Sequence, residues 1–154
     1  MSEPIYVAVI GGSEVGPEIE ALAVEVGREL ARKGALLLCG GLGGVMAAAA
    51  RGAREAGGVS LGILPGPDRR RANPYLSYAL ATNLGHARNL VIVHSADALI
   101  AVDGGYGTVS EAALALKLGK PVIALKVSWD LPGLRRAETA PEAVDLAWVA
   151  LGKG

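Results

Sequence analysis

The residues whose types and spacing suggest chemistry lie between Asp103 and Glu111, in the sequence Asp-Gly-Gly-Tyr-Gly-Thr-Val-Ser-Glu. An apolar run, 98–102, precedes this segment, and a helix-like run, 112–118, follows it. Glycine lets the backbone approach a ligand closely, and the first amides of a helix have no internal partner and attract anions. The segment therefore predicts a phosphate-binding loop, with the Glu111 carboxylate one helical turn further on. The predicted ligand contacts here are Asp103, Gly104, Gly105, Tyr106, Gly107 and Thr108.

The same segment also has a purely structural explanation. Thr108-Val109-Ser110-Glu111 fits a capping box, with Thr108 at the N-cap and Glu111 three residues later. Such a cap stabilises a helix by about 1 kcal/mol, but it does not explain three glycines in four positions. A few amide hydrogen bonds to a phosphate, each worth about 1.5–3 kcal/mol, would hold a nucleotide-sized ligand. We therefore favour phosphate binding over capping alone.

Two further glycine-rich turns follow apolar runs, one at 11–13 and one at 40–46. Tight turning explains some of these glycines, but the four glycines of the second turn exceed what a turn requires. The predicted ligand contacts here are Gly12, Ser13, Gly40, Gly41, Gly43, Gly44 and Met46. The first turn does not read G-x-G-x-x-G, and no carboxylate follows Cys39 to bind a ribose, so the pattern fits a dinucleotide-binding fingerprint poorly.

Apolar, strand-like runs alternate with helix-like runs along the chain. The predicted strands are 5–10, 36–39, 59–64, 98–102 and 121–125, and the predicted helices begin at 17, 45, 88, 108 and 141. Continuous apolar strands in this order indicate an α/β, Rossmann-like, doubly wound and mostly parallel sheet with helices on both faces. We expect a single domain, 1–154, that binds its ligand at the carboxyl ends of the strands, where all three glycine turns fall.

The amino-acid composition limits the kinds of partner that the protein can bind. The 15 acidic and 15 basic residues give a formal net charge of zero, which argues against binding to nucleic acid or to an anionic membrane. We recognise no signal peptide, no membrane-length apolar run and no Cys/His spacing typical of a structural metal site. The single Cys39 fits a reducing compartment, so we expect a cytoplasmic protein without a bound metal.

The motifs resemble those of the LONELY GUY (LOG) superfamily, which is also labelled with lysine decarboxylase activity. Gly85-His86-Ala87-Arg88-Asn89, a spacer helix and then Gly104 to Glu111 are similar to its arginine and its P-G-G-x-G-T-x-x-E signature. The resemblance implies a phosphoribohydrolase that cleaves the N-glycosidic bond of a nucleoside 5′-monophosphate, with Arg88 and Glu111 as catalytic residues. Arg88 is expected to pair with Glu111 and keep it ionised. LOG relatives form dimers, so we expect a homodimer or higher homo-oligomer, with the apolar helix 88–96 as the buried interface.

Departures from that pattern leave an alternative open. Asp103 replaces the signature proline, Asn89 replaces a lysine that often follows the arginine, and the run 112–123 is closer to a branch containing molybdenum-cofactor carrier proteins. That branch implies a non-catalytic nucleotide or molybdenum-cofactor binding protein. Neither reading requires a resident cofactor. Lysine decarboxylation is rejected, because Lys117 and Lys120 lie on or after a helix, away from the glycine turns. The arginine run 69–71 either gates the ligand or is solvated, and the base of the ligand is not identified.

Overall fold

A seven-stranded sheet organises the computed structural model, which describes residues 3–153. The strands are β1 (Tyr6–Gly11), β2 (Leu36–Cys39), β3 (Val59–Leu64), β4 (Tyr78–Ala81), β5 (Ala98–Val102), β6 (Val122–Leu125) and β7 (Arg135–Arg136). The helices are α1 (Pro17–Arg32), α2 (Val45–Glu55), α3 (Arg88–Ser95), α4 (Tyr106–Lys117) and α5 (Ala140–Ala150). All neighbouring strands are parallel, which confirms the predicted Rossmann-like class.

The strand order is β4-β3-β2-β1-β5-β6-β7, so the chain builds outward from β1 and then returns to its other side. β1 and β5 are neighbours, with Gly11 opposite Val102 at their carboxyl ends. The turns that leave these two strands diverge to opposite faces of the sheet, which opens a crevice between them. The fold therefore brings the glycine turn after β1 beside the segment that begins at Asp103.

Two aliphatic cores lie on the two faces of the sheet. Helices α1, α2 and α5 pack on one face, and α3 and α4 pack on the other. Every residue of β5 is buried, because its neighbours β1 and β6 and the helices on both faces exclude water. Burial on both faces explains why the central strands read as continuous apolar runs rather than alternating ones.

Two strands were not predicted from the sequence, and both lie at the edges of the sheet. β4 is largely exposed and contains only four residues, while β7 consists of Arg135 and Arg136. An edge strand needs no continuous apolar run, because one side of it faces solvent. These strands therefore lacked the signal that identified the central ones.

Helix α3 is buried on one side only. Ile92 and Val93 are buried, whereas Leu90 is 49% exposed and Val91 is 36% exposed. The helix has only eight residues and packs on the sheet through one side. The other side leaves an apolar surface open in this chain.

Lys120 lies away from the glycine turns, as expected. Its Nζ donates to the carbonyl oxygens of Val93, His94 and Ala96, each at 2.7 Å. These carbonyls belong to the carboxyl end of α3, which has no further helical amides to bind them. Lys120 thus has a structural role at the amino-terminal edge of the sheet.

No helix in the described part of the chain has the length and apolar character needed to cross a membrane.

Candidate ligand-binding site

A cavity of about 540 Å³ opens at the carboxyl ends of β1, β2 and β5. The turns that follow these strands and the first turn of α3 supply its walls. Nine of the predicted site residues line it: Gly12, Ser13, Gly40, Met46, Arg88, Gly105, Gly107, Thr108 and Glu111. The structure therefore brings all three glycine turns and the Arg88–Glu111 pair to one place, as the spacing of the motifs predicted.

Helix α4 begins at Tyr106, with Gly105 at its N-cap, and no side chain caps it. The first intrahelical bond runs from the amide of Val109 to the carbonyl of Gly105, at 3.0 Å. The capping-box explanation is therefore wrong, because the helix starts two residues earlier than predicted. Thr108 is the third helical residue and its buried side chain, 4% exposed, packs against Gly104 instead.

The early start of α4 leaves several amides free at the cavity. Within residues 3–153, the amides of 104–108 donate no hydrogen bond to a protein atom. Gly105, Gly107 and Thr108 line the cavity. Unpartnered amides at a helix N-terminus carry a partial positive charge and bind anions. This edge of the cavity can therefore hold a phosphate.

The turn before α4 is shaped by two residues in the left-handed region, Asp103 at φ 56° and Gly104 at φ 100°. A Cβ atom on Gly104 would lie 2.3 Å from Oγ1 of Thr108, so only glycine fits there. Nε1 of Trp129 donates to the Gly104 carbonyl at 3.2 Å and fixes the turn. Asp103 and Gly104 thus shape the loop without lining the cavity, and Tyr106 points away from it, 96% exposed.

The glycines of the second turn divide into two groups. Gly41, Gly43 and Gly44 do not line the cavity. Gly44 has φ 64°, and a Cβ atom there would lie 2.2 Å from the carbonyl oxygen of Gly12. The amide of Val45 donates to that same oxygen at 3.0 Å, so the first two glycine turns are held together by backbone contacts. These glycines support the wall that Gly40 and Met46 form.

Arg88 lies directly over Gly40. Its Nη2 donates to the Gly40 carbonyl at 3.4 Å and its Nη1 donates to Oδ1 of Asn89. A Cβ atom on Gly40 would lie 2.7 Å from Nη2, so the absence of a side chain makes room for the guanidinium. Nε of Arg88 is buried and has no partner in the described chain. A buried donor without a partner costs free energy unless a ligand supplies an acceptor.

The charge on Glu111 differs from the expectation. Burial raises the pKa of Glu111 to about 7, and the nearby Arg88 opposes this rise without cancelling it. Burial also lowers the pKa of Arg88, against the effects of Glu111 and Cys39. Arg88 therefore does not keep Glu111 fully ionised, because desolvation outweighs the attraction between the two charges.

Several lining residues were missed by sequence reasoning, notably His86 and Asn89 on either side of Arg88. The signal that could have identified them is their position in the sequence, within two residues of Arg88 at the start of a predicted helix. Cys39 is fully buried with its pKa raised to about 11 by burial, which argues against a nucleophile. The arginine run Arg69–Arg71 forms a 3₁₀ turn that does not line this cavity.

Comparisons with known proteins agree with this fold. Residues 4–147 match the model of the SLOG cluster4 family. An uncharacterized protein of Archaeoglobus fulgidus is 49% identical over 141 residues, covering 92% of this chain and 93% of the relative. The solved structure of the molybdenum cofactor binding protein from Rippkaea orientalis is similar with a TM-score of 0.88 and 34% identity, covering 95% of this chain and 96% of that chain.

LOG proteins are more distant relatives. The probable cytokinin riboside 5′-monophosphate phosphoribohydrolase LOG4 of Oryza sativa subsp. japonica is 32% identical over 110 residues, which is 68% of this chain but only 48% of the relative. The match thus spans about half the length of that protein. Together with the family match and the full-length likeness to molybdenum cofactor binding proteins, it confirms the predicted superfamily and branch. The chain belongs to the SLOG cluster4 family.

Proposed function

We propose that this protein binds a phosphate-bearing, nucleotide-like small molecule in the cavity between β1 and β5. The observation that carries the proposal is the set of amides at 104–108 that have no protein partner in the described chain. A phosphate accepts several such hydrogen bonds at once, and each is strengthened by its charge. A cavity of about 540 Å³ leaves room for a ring system beyond the phosphate.

Molybdenum cofactor, a phosphorylated pterin, is the ligand that we favour. Support comes from the full-length likeness to cofactor binding and carrier proteins, including the Moco carrier protein of Chlamydomonas reinhardtii, with a TM-score of 0.87 and 32% identity. The cavity residues fit such a ligand, because the free amides suit its phosphate and the unpartnered Nε of Arg88 suits an acceptor on its ring. In this role the cofactor is cargo, and the protein holds it without transforming it.

Mass spectrometry of the purified protein tests the proposal by identifying a retained ligand. A displacement assay with AMP and with molybdenum cofactor then separates the two ligand classes. We expect molybdenum cofactor to bind more tightly than AMP. A Thr108→Val variant, which keeps the turn, should bind the cofactor nearly as well as the wild type does. If neither molecule binds to the wild-type protein at millimolar concentration, the binding proposal is wrong.

Hydrolysis of a nucleoside 5′-monophosphate is the second candidate, and the position of Glu111 in the cavity favours it. Departure of the base leaves positive charge on the ribose. A carboxylate beside the sugar would stabilise that charge or orient the attacking water. The hydroxyl of the water bonds to the ribose carbon as the bond to the base breaks, and the proton of that water passes to the departing base, which yields free base and ribose 5-phosphate.

Glu111→Gln tests this candidate. Because no side chain caps α4, the substitution does not disturb the helix start. Loss of base release with a retained melting temperature would support catalysis. If the wild-type protein releases no base from any common nucleoside monophosphate, the hydrolase is rejected and the carrier remains.

We also propose that a second copy of the chain covers the exposed apolar residues of α3. Leu90 and Val91 are exposed there, and Leu84, shortly before the helix, is exposed as well. Sedimentation equilibrium should give a dimer or a larger oligomer. Leu90→Glu should shift the equilibrium toward monomer without changing the melting of the monomer.

A further inference from the structure

Arg88 has only one side-chain partner among the described residues, Asn89. Nη1 of Arg88 donates to Oδ1 of Asn89, and Nη2 rests against the carbonyl of Gly40. No ion pair within 4.0 Å joins Arg88 to Glu111, although both side chains line the same cavity. The guanidinium is therefore held against Gly40 and Asn89 and does not contact the carboxyl group of Glu111.

We propose that Asn89 is the positioning residue of this cavity: its side-chain oxygen holds the Arg88 guanidinium over Gly40 and separates it from Glu111. Arg88 and Asn89 begin the same helix, α3, so the acceptor and the donor are fixed by adjacent backbone positions. Lysine at this position could not accept the hydrogen bond and would add a second positive charge beside the guanidinium. An amide oxygen binds the guanidinium without neutralising it.

The separation has a consequence for the ligand. Arg88 keeps its full charge and a free Nε, and Glu111 keeps a carboxyl group with no cationic partner at contact distance. A bound molecule can then contact both groups without first breaking an ion pair between them. This consequence rests on the proposed function, whereas the positioning by Asn89 is a property of the free protein.

The other titratable groups near Glu111 are not among the causes of its pKa shift. His86 also lines the cavity, Cys39 is buried behind Arg88, and Asp103 lies behind Gly12. Burial raises the pKa of Glu111, and Arg88 is the charged group that lowers it. Movement of Arg88 toward Glu111 would therefore be seen directly in the titration of that carboxyl group.

The test is a carbon-13 NMR titration of the glutamate carboxyl groups in the ligand-free protein, with the Glu111 signal assigned by its loss in Glu111→Gln. Asn89→Leu removes the acceptor at similar size, so Arg88 should turn to Glu111 and lower its titration midpoint by about one pH unit or more. Asn89→Ala removes the same acceptor without added volume and should act in the same direction. Asn89→Asp retains the acceptor and adds a negative charge, so the midpoint should stay or rise.

His94→Leu is the matched control, because this exposed residue lies on α3 outside the cavity. An unmoved midpoint in Asn89→Leu and Asn89→Ala overturns the inference, and so does a shift of the same sign in Asn89→Asp. AMP and molybdenum cofactor binding are measured separately. Failure of the wild-type protein to bind either one counts against the proposed function alone, since the titration needs no ligand.

Discussion

Arg88 and Glu111 line one cavity from two different helices, and yet no ion pair within 4.0 Å joins them. Burial raises the pKa of Glu111 to about 7 because the attraction of Arg88 does not compensate for lost hydration. Near neutral pH the carboxyl group is therefore present in both protonation states. The uncompensated burial of the Glu111 carboxyl group therefore affects both the stability of the fold and the binding of a ligand.

The first prediction concerns the pH dependence of stability. The pKa of Glu111 in the folded protein is about 7, above its ordinary value of 4.5, so the folded state binds more protons between these values. Stability should therefore be greatest below about pH 4.5 with respect to this group, and should fall as the pH rises through 7. Partial exposure reduces the effect to about 2 kcal/mol.

Urea unfolding at several pH values measures this loss, and Glu111→Gln should remove it because glutamine does not titrate. The variant should therefore be more stable than the wild type at pH 8 and similar to it at pH 5. Glu138→Gln, at an exposed position, is the control and should leave the wild-type profile unchanged. A Glu111→Gln profile parallel to that of the wild type would contradict the assignment.

The second prediction separates Lys120 from the ligand site. Lys120→Met removes three hydrogen bonds to the carbonyl end of α3. We expect a loss of about 1–3 kcal/mol in the free energy of unfolding, because three carbonyl groups, two of them in partly buried hydrogen bonds, lose a charged donor. AMP affinity should not change. Lys117→Met, on the exposed end of α4, should alter neither quantity; a large loss of affinity in Lys120→Met would show that the two regions are coupled.

The central sheet was predictable because burial on both faces dictates composition. The five strands predicted from apolar runs occur within about one residue of the expected positions, as β1, β2, β3, β5 and β6. β4 and β7 were not predictable in this way, since edge strands carry no such requirement. Whether an apolar helix is buried also depends on what packs against it. The eight residues of α3 do not by themselves show which side of the helix is covered.

The site was predictable in outline and not in electrostatics. Glycine spacing located all three turns, because close backbone approach demands glycine. It did not show which glycines line the cavity and which, like Gly44, serve backbone packing. The start of α4 was misplaced because Thr108 and Glu111 match a cap pattern that the helix does not use. The pKa of Glu111 depends on its burial and on its distance from Arg88 in the folded protein, and the spacing of the two residues in the sequence gives neither.

The third prediction uses Gly107, which lines the cavity within the first turn of α4 and has open space where a Cβ would be. Gly107→Ala should stabilise the fold by about 0.5–1 kcal/mol, because alanine favours a helix more than glycine does. The added methyl group should obstruct the approach of a phosphate to the amides and weaken binding at least about tenfold. Differential scanning calorimetry and ligand titration measure the two effects. A more stable variant with unchanged affinity would place the phosphate elsewhere.

The last prediction distinguishes a glycine that makes room for Arg88 from one that holds two turns together. In Gly40→Ala the new Cβ meets Arg88 Nη2 and Met46 Sδ at 2.7 Å, and both are mobile ends of long side chains. The fold should lose only about 1 kcal/mol, while displacement of the guanidinium should weaken ligand binding at least about tenfold.

In Gly44→Ala the new Cβ meets the carbonyl oxygen of Gly12 at 2.2 Å, at a φ of 64° that alanine rarely adopts. Backbone cannot move aside as a side chain can, so this variant should lose about 3 kcal/mol or more in unfolding free energy. Gly43→Ala, in the same turn, meets only Ser13 O at 3.6 Å and should behave as the wild type. Chemical denaturation and ligand titration of the three variants give the comparison. Equal losses of stability in Gly40→Ala and Gly44→Ala would mean that the Arg88 guanidinium yields no more easily than the backbone does, and would contradict this prediction.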